Sequence, residues 1–201
     1  MMACRSLVLL AAAFLIALLP DGATAQDPSL AAWRSYAKTP EAAKLMIWMH
    51  EALDARLSGK MPPRMDAAYP VFHGELGVFV TLVKKNRVRG CYGAFDHPDT
   101  RMDRLLDDYL LGALRRDHRY PALETGEAGG VAVILTIAGC RLPVRDIADV
   151  DLSRYGVLAT FEDGSHDVVV PAEIRGIDAL RRRWKGKEIA QLDIFSAVTL
   201  K

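Results

Sequence analysis

The stretch Val78-Phe79-Val80-Thr81-Leu82-Val83-Lys84-Lys85-Asn86-Arg87-Val88-Arg89-Gly90-Cys91-Tyr92-Gly93-Ala94-Phe95 decides the fold. Val78 to Val83 is a β-branched and aromatic run, the composition of a strand. Lys84-Lys85-Asn86 reads as its turn, and Val88 to Phe95 as the returning strand. A hairpin pairs its strands antiparallel, because a short turn leaves no room for a crossover.

The segments on either side extend this pattern. Thr39-Pro40 predicts a capped helix running to about Leu57, with Ala42, Leu45, Met46, Met49, Leu53 and Leu57 on one face. Ser58-Gly59 stops it, and an irregular stretch follows through Pro70. After the hairpin, Asp99-Thr100 should cap a second helix over about 101–117, apolar at Met102, Leu105, Leu106, Tyr109, Leu110, Ala113 and Leu114. Val131 to Ile137 reads as a strand covered on both faces. Asp163-Gly164 reads as a hairpin turn, Glu173 to Trp184 as a helix weakened by Gly176, and Leu192 to Leu200 as a last strand. Strands and helices do not alternate strictly. The expected class is α+β, a mainly antiparallel sheet with flanking helices and room for a small subdomain.

Composition sets outer bounds. The chain has 201 residues, 51% hydrophobic and 25% charged, with a net charge of +1. These values exclude a disordered chain and a multi-pass membrane protein, and no basic field points to nucleic acid. Residues 1–25 have the layout of an export signal: Arg5, then Leu7 to Leu19 without a polar side chain, then Ala23-Thr24-Ala25. Thirteen apolar residues fall short of the ~20 needed to span a bilayer. Cleavage after Ala25, with export to the periplasm or the medium, is therefore expected; the alternative is an uncleaved membrane anchor. The rest divides into an N-terminal helical segment, 26–73, and a domain over 74–201.

The chemistry centres on Arg89-Gly90-Cys91-Tyr92-Gly93. Strict alternation along a strand would put Arg89 and Cys91 on one face, their Cα atoms ~7 Å apart. A guanidinium there would favour the thiolate. Gly90 and Gly93 are costly in a strand unless something uses the space, which suggests a bare strip of backbone open to a ligand. Among the five histidines, His97 is near enough in sequence to act as a base to Cys91. No histidine or cysteine spacing predicts a metal site, and no phosphate loop or dinucleotide fingerprint suggests a cofactor. Asp117 and Arg119, at the end of the second helix, either meet the Arg89–Cys91 face or lock the helix end. The basic run Arg181 to Lys187 reads as a solvated helix face with Trp184 packed inward.

Three readings stay open. Cys91 belongs to a binding strip, Cys91 is the nucleophile of a thiol enzyme, or Cys91 pairs with Cys140 in a disulfide.

Several motifs together resemble the AMMECR-one domain family over roughly residues 74–200. The strand Val78 to Leu82 followed by Val88-Arg89-Gly90-Cys91-Tyr92-Gly93 is similar to the family's apolar strand, turn and R-G-C-x-G motif. Asp117-His118-Arg119-Tyr120-Pro121-Ala122-Leu123, Val131 to Thr136, Tyr155-Gly156-Val157 and Val169-Val170-Pro171 resemble later family segments. Tyr92, Ala94 and Tyr155 depart from the usual Ile, Thr and His. The resemblance implies an α+β domain of unestablished activity, with Memo-type and radical-SAM proteins as possible partners. It points to Arg89, Gly90, Cys91, Gly93, Asp117 and Arg119 as a shared surface. Typical members are intracellular, which sets the export signal of this chain apart.

Overall fold

In a computed structural model describing residues 27–127 and 129–201, the hairpin forms as read. Strand β1 (Gly77–Lys84) pairs antiparallel with β2 (Arg87–Ala94). The turn residues Lys85 and Asn86 both have positive φ, 49° and 59°. That conformation matches the right-handed twist of the flanking strands, and Asn accepts it readily.

Three further strands and a long closing one complete the sheet: β3 (Val131–Pro143), β4 (Tyr155–Phe161), β5 (His166–Val169) and β6 (Ile189–Leu200). The order is β2-β1-β3-β6-β4-β5, every pair antiparallel. The class is α+β, as expected.

The helices cover one face of this sheet. Helix α1 (Ala31–Tyr36) leads into α2 (Pro40–Leu57). Thr39 caps α2 by accepting the Ala42 N–H at 3.3 Å, and the predicted apolar face is buried throughout. Helix α3 (Met102–Leu111) starts without a side-chain cap on its first turn; Asp99 instead accepts the Arg101 N–H. The predicted second helix does not run as one α-helix to Asp117. It widens to a π-helix over Gly112–Arg116. Helices α2 and α3 pack on Val78, Val80 and Leu82 of β1, on β3, and on Val198 and Leu200. Residues on both sides of position 73 thus share one core, from Leu30 and Trp33 to Leu135.

A second, smaller cluster lies under α4 (Ile177–Arg183). It holds Ile147, Val157, Phe161, Leu180 and Trp184. The helix begins four residues later than Glu173, because Gly176 sits at φ 100°, outside any helical geometry.

The opposite face is concave. The sheet curls so far that its two edge strands face each other. Cys91 of β2, Val170 just past β5, and Phe79 and Phe195 share one buried cluster. Phe79, Phe95 and Phe195 fill it, with ring centroids 5.1–6.3 Å apart. Arg175 donates to Asn86 O at 3.3 Å and ties the segment after β5 to the first turn. The export signal expected over residues 1–25 lies outside the described residues.

Candidate functional site

Arg89 and Cys91 do not come together. Leu82 pairs with Gly90 and Val83 with Val88, so Arg89 is the extra residue of a β-bulge. A bulge breaks the two-residue alternation on which the shared face depended. The Arg89 guanidinium turns to Glu127, which accepts from it at 2.6 and 3.1 Å. Those hydrogen bonds hold the Glu127 carboxyl down at about 2.

The two glycines are occupied by packing. A Cβ on Gly90 would stand 1.9 Å from the carbonyl oxygen of Ala113. The π-helix therefore sits directly on the backbone of β2. A Cβ on Gly93 would lie 2.1 Å from Val78 O. The bare strip of the sequence reading is filled from inside the molecule, although the Gly93 backbone still borders a cavity.

Cys91 is a free, buried thiol, which removes the pairing with Cys140. Thr81 donates its hydroxyl to Sγ at 3.1 Å. The backbone N–H of Cys91 donates to Asp117 Oδ2 at 2.8 Å, and Arg119 Nη2 donates to its carbonyl at 3.3 Å. Burial and the neighbouring Glu173 carboxylate push the thiol well above its ordinary range. The guanidinium near this thiol belongs to Arg119, and it is outweighed.

His97 is not a base to Cys91. Its Nε2 lies 2.6 Å from Leu76 O and its Nδ1 2.7 Å from the Tyr109 hydroxyl. A carbonyl can only accept, so Nε2 donates to Leu76 O, while Nδ1 shares a hydrogen bond with the Tyr109 hydroxyl. Both nitrogens are engaged in holding the hairpin to α3.

Asp117 and Arg119 do meet the Cys91 segment, and they bring a network with them. Arg119 forks onto Asp117 through Nε and Nη2 at 2.7 and 2.8 Å. Its Nη1 lies 3.2 Å from Glu173 and 3.8 Å from Asp167 of β5. Arg183 forks onto Asp167 at 2.6 Å twice, and Trp184 Nε1 donates there at 2.9 Å. Of the basic run, Arg183 is therefore committed to this seam, Trp184 is buried, and Arg181 and Arg182 are exposed.

This seam sets three carboxylates against two guanidinium groups. Burial opposes the charge of Asp117, but its hydrogen bonds from Arg119 and Cys91 prevail and lower its pKa. Asp167 is lowered in the same way by Arg183 and Trp184. Glu173 goes the other way. Its side chain is 1% exposed, neither oxygen accepts a hydrogen bond, and burial raises its pKa despite Arg119 and Arg183. The third carboxylate is thus the one whose charge its surroundings oppose.

Beyond the ionic seam the gap between the sheet edges opens into a cavity of about 270 Å³. Gly93 and Phe95 line one side, Thr160, His166 and Val168 the other, and Arg141 reaches in from β3. Thr81, Glu173, Asp167, Arg183 and Arg141 all belong to this region. Only contact across the curled sheet reveals them, because they lie up to ~100 residues apart in sequence and share no local motif.

A family model described as AMMECR1 matches residues 46–181. A protein of Methanosarcina acetivorans is 32% identical over 110 residues, covering 51% of this chain and 55% of that protein. A protein of Thermotoga maritima is 28% identical over 116 residues, covering 57% of this chain and 66% of its own length. The chain thus spans little more than half of the first relative and about two thirds of the second. The crystal structure of the uncharacterized protein PH0010 from Pyrococcus horikoshii superposes with a TM-score of 0.58 at 15% identity. It covers 81% of this chain and 91% of that one, a likeness of fold.

Proposed function

The chain belongs to the AMMECR1 family, and on that premise we propose that it is an exported binding domain rather than a bond-making one. Its binding site is the gap between the edge strands β2 and β5. One observation carries this reading. Cys91, the one nucleophilic side chain of the R-G-C-x-G motif, is buried and held protonated, whereas Gly93 two residues on borders an open cavity.

The motif then has a building role. Arg89 anchors the β2 bulge to Glu127, Gly90 admits the π-helix, and Cys91, Asp117 and Arg119 hold the two edges at a fixed separation. A rigid frame around a concave space that joins apolar wall to a few placed polar groups is the usual form of a small-ligand site; here Phe95, Leu158 and Val168 stand beside Arg141, Thr160 and His166. Memo-type or radical-SAM proteins are the partners that the family resemblance proposes. Membrane contact would require an uncleaved signal, and no nucleic-acid role follows from a net charge of +1.

A second reading, a thiol enzyme with Cys91 as nucleophile, is favoured by Glu173, which sets a carboxylate beside the thiol. Complementation of a deletion strain separates the two once export and folding of each variant are confirmed. Cys91→Ser should function nearly normally and His166→Ala should be impaired. A dead Cys91→Ser beside a healthy His166→Ala would establish the thiol enzyme instead.

A further inference from the structure

We propose that the cavity between β2 and β4–β5 takes a small monocarboxylate with a short apolar body, bound through Arg141. This rests on the reading of the gap as a ligand site and names the class of its ligand.

The placement of Arg141 is the first argument. Along β3, Ala138 pairs with Ala197 and Arg141 with Phe195, so β3 advances three residues while β6 advances two. In an unbroken ladder Cys140 would point into the concave face and Arg141 away from it. The extra residue reverses this and brings Arg141 to the Phe195 side. Asp27 braces the bulge. Its Oδ2 accepts the Cys140 N–H at 2.9 Å and the Ser196 hydroxyl at 3.2 Å. A Cβ on Gly139 would stand 1.9 Å from that same oxygen. Bulges that re-aim one side chain are over-represented beside functional sites.

Charge is the second argument. The guanidinium of Arg141 sits over the Phe95 ring, 5.2 Å from its centroid. The other arginines at the seam, Arg119 and Arg183, are forked onto carboxylates, and Arg89 is forked onto Glu127. Arg141 pairs with no carboxylate among the described residues, so its planar donor fork is free for a ligand. Thr160 and His166, a cross-strand pair of β4 and β5, add donors on the facing wall.

Size and polarity narrow the class. About 270 Å³ lies just below the usual range for drug-sized ligands, which calls for a smaller one. Phe95, Leu158 and Val168 supply apolar wall. Asp96 is the acidic residue of the lining, and it disfavours a ligand with two or more negative charges. One carboxylate on a short apolar body meets all three conditions, whereas inorganic phosphate meets only one.

The test titrates the purified exported protein with butyrate and benzoate, their neutral amides, and inorganic phosphate, followed by NMR of the His166, Thr160 and Arg141 signals. The acids should shift those signals at millimolar concentration and bind at least about tenfold more tightly than the amides, the loss expected for a charge-assisted hydrogen bond. Arg141→Gln should abolish that preference without unfolding. Asp27→Ala should weaken it, and Asp27→Asn should restore part of the bulge but not the acceptor strength. Amides that bind as well as acids, phosphate that binds in their place, or an acid preference that survives Arg141→Gln would each overturn the carboxylate assignment and leave the gap as a ligand site. Signals that no probe moves would overturn both.

Discussion

Asp117 accepts the backbone N–H of Cys91 at 2.8 Å, and the arginine that Asp117 orients returns a hydrogen bond to the Cys91 carbonyl. Two side chains from the far end of the α3–π-helix segment thus satisfy the outward backbone groups of an edge strand. Edges left open invite pairing with another chain. Here the covering also fixes how far β2 stands from β5, because Arg119 reaches on to Glu173 and Asp167.

Gly90→Ala tests the π-helix contact. The added Cβ would meet the Ala113 carbonyl, a backbone atom that cannot swing aside. The cost should reach or exceed ~3 kcal/mol, the upper end of overpacking penalties. Thermal melting should show a large drop or no folded protein, and an unchanged Tm would mean that the π-helix does not rest on β2.

Leu106 and Leu110 are fully buried on α3. Replacing either by Ala should cost ~2–5 kcal/mol, through lost burial plus the cavity left behind. Denaturant titration should show lowered midpoints at an unchanged slope. A neutral result for both would remove α3 from the main core.

The seam should give opposite pH signatures for its carboxylates. Glu173 has a folded pKa above its ordinary value of 4.5. Its proton therefore stabilises the fold fully below that value, and the contribution is lost as pH rises through the folded pKa. Glu173→Gln should remove this decline, so the variant gains on the parent as pH rises. Asp117 and Asp167 have depressed values. Their contribution is present above the ordinary aspartate range and lost as pH falls through the folded pKa, so Asp167→Asn should flatten the acid limb. Stability measured across pH 3–9 checks both signs.

How much of this was readable from the sequence depends on how local each feature is. The hairpin, the Thr39-capped helix and its buried face, and the turn at Asp163-Gly164 follow from period, caps and turn residues. They are present where the sequence placed them. The π-helix was not readable, because it exists to seat Ala113 on Gly90, a contact set by tertiary packing. The shared face of Arg89 and Cys91 failed for a related reason: one bulge residue inverts every inference from alternation. For Asp117 and Arg119 the sequence leaves two roles open, a helix-end lock or a contact with the Arg89–Cys91 face, and their hydrogen bonds reach the Cys91 backbone but not Arg89. Glu173 reads in sequence as a helix start, and nothing local to it marks a carboxylate that lies buried beside a thiol 82 positions away.

Export is tested at the N-terminus. If the signal is cleaved after Ala25, N-terminal sequencing of exported protein should begin at Gln26. Asp27, which braces the β3 bulge, would then be the second residue of the mature chain. Recovery of Met1 in the membrane fraction would show an anchor instead.

The most direct test of a binding rather than bond-making site is the reactivity of Cys91 itself. The folded protein is exposed to iodoacetamide at pH 7, and the peptide containing Cys91 is followed by mass spectrometry, alongside the unfolded chain. A thiol that is buried, bonded by Thr81 and raised by Glu173 should stay unmodified in the folded protein and react at once on unfolding. Alkylation of the folded protein at neutral pH, at or above the rate of free cysteine, would mean an accessible thiolate and would make Cys91 the reactive centre.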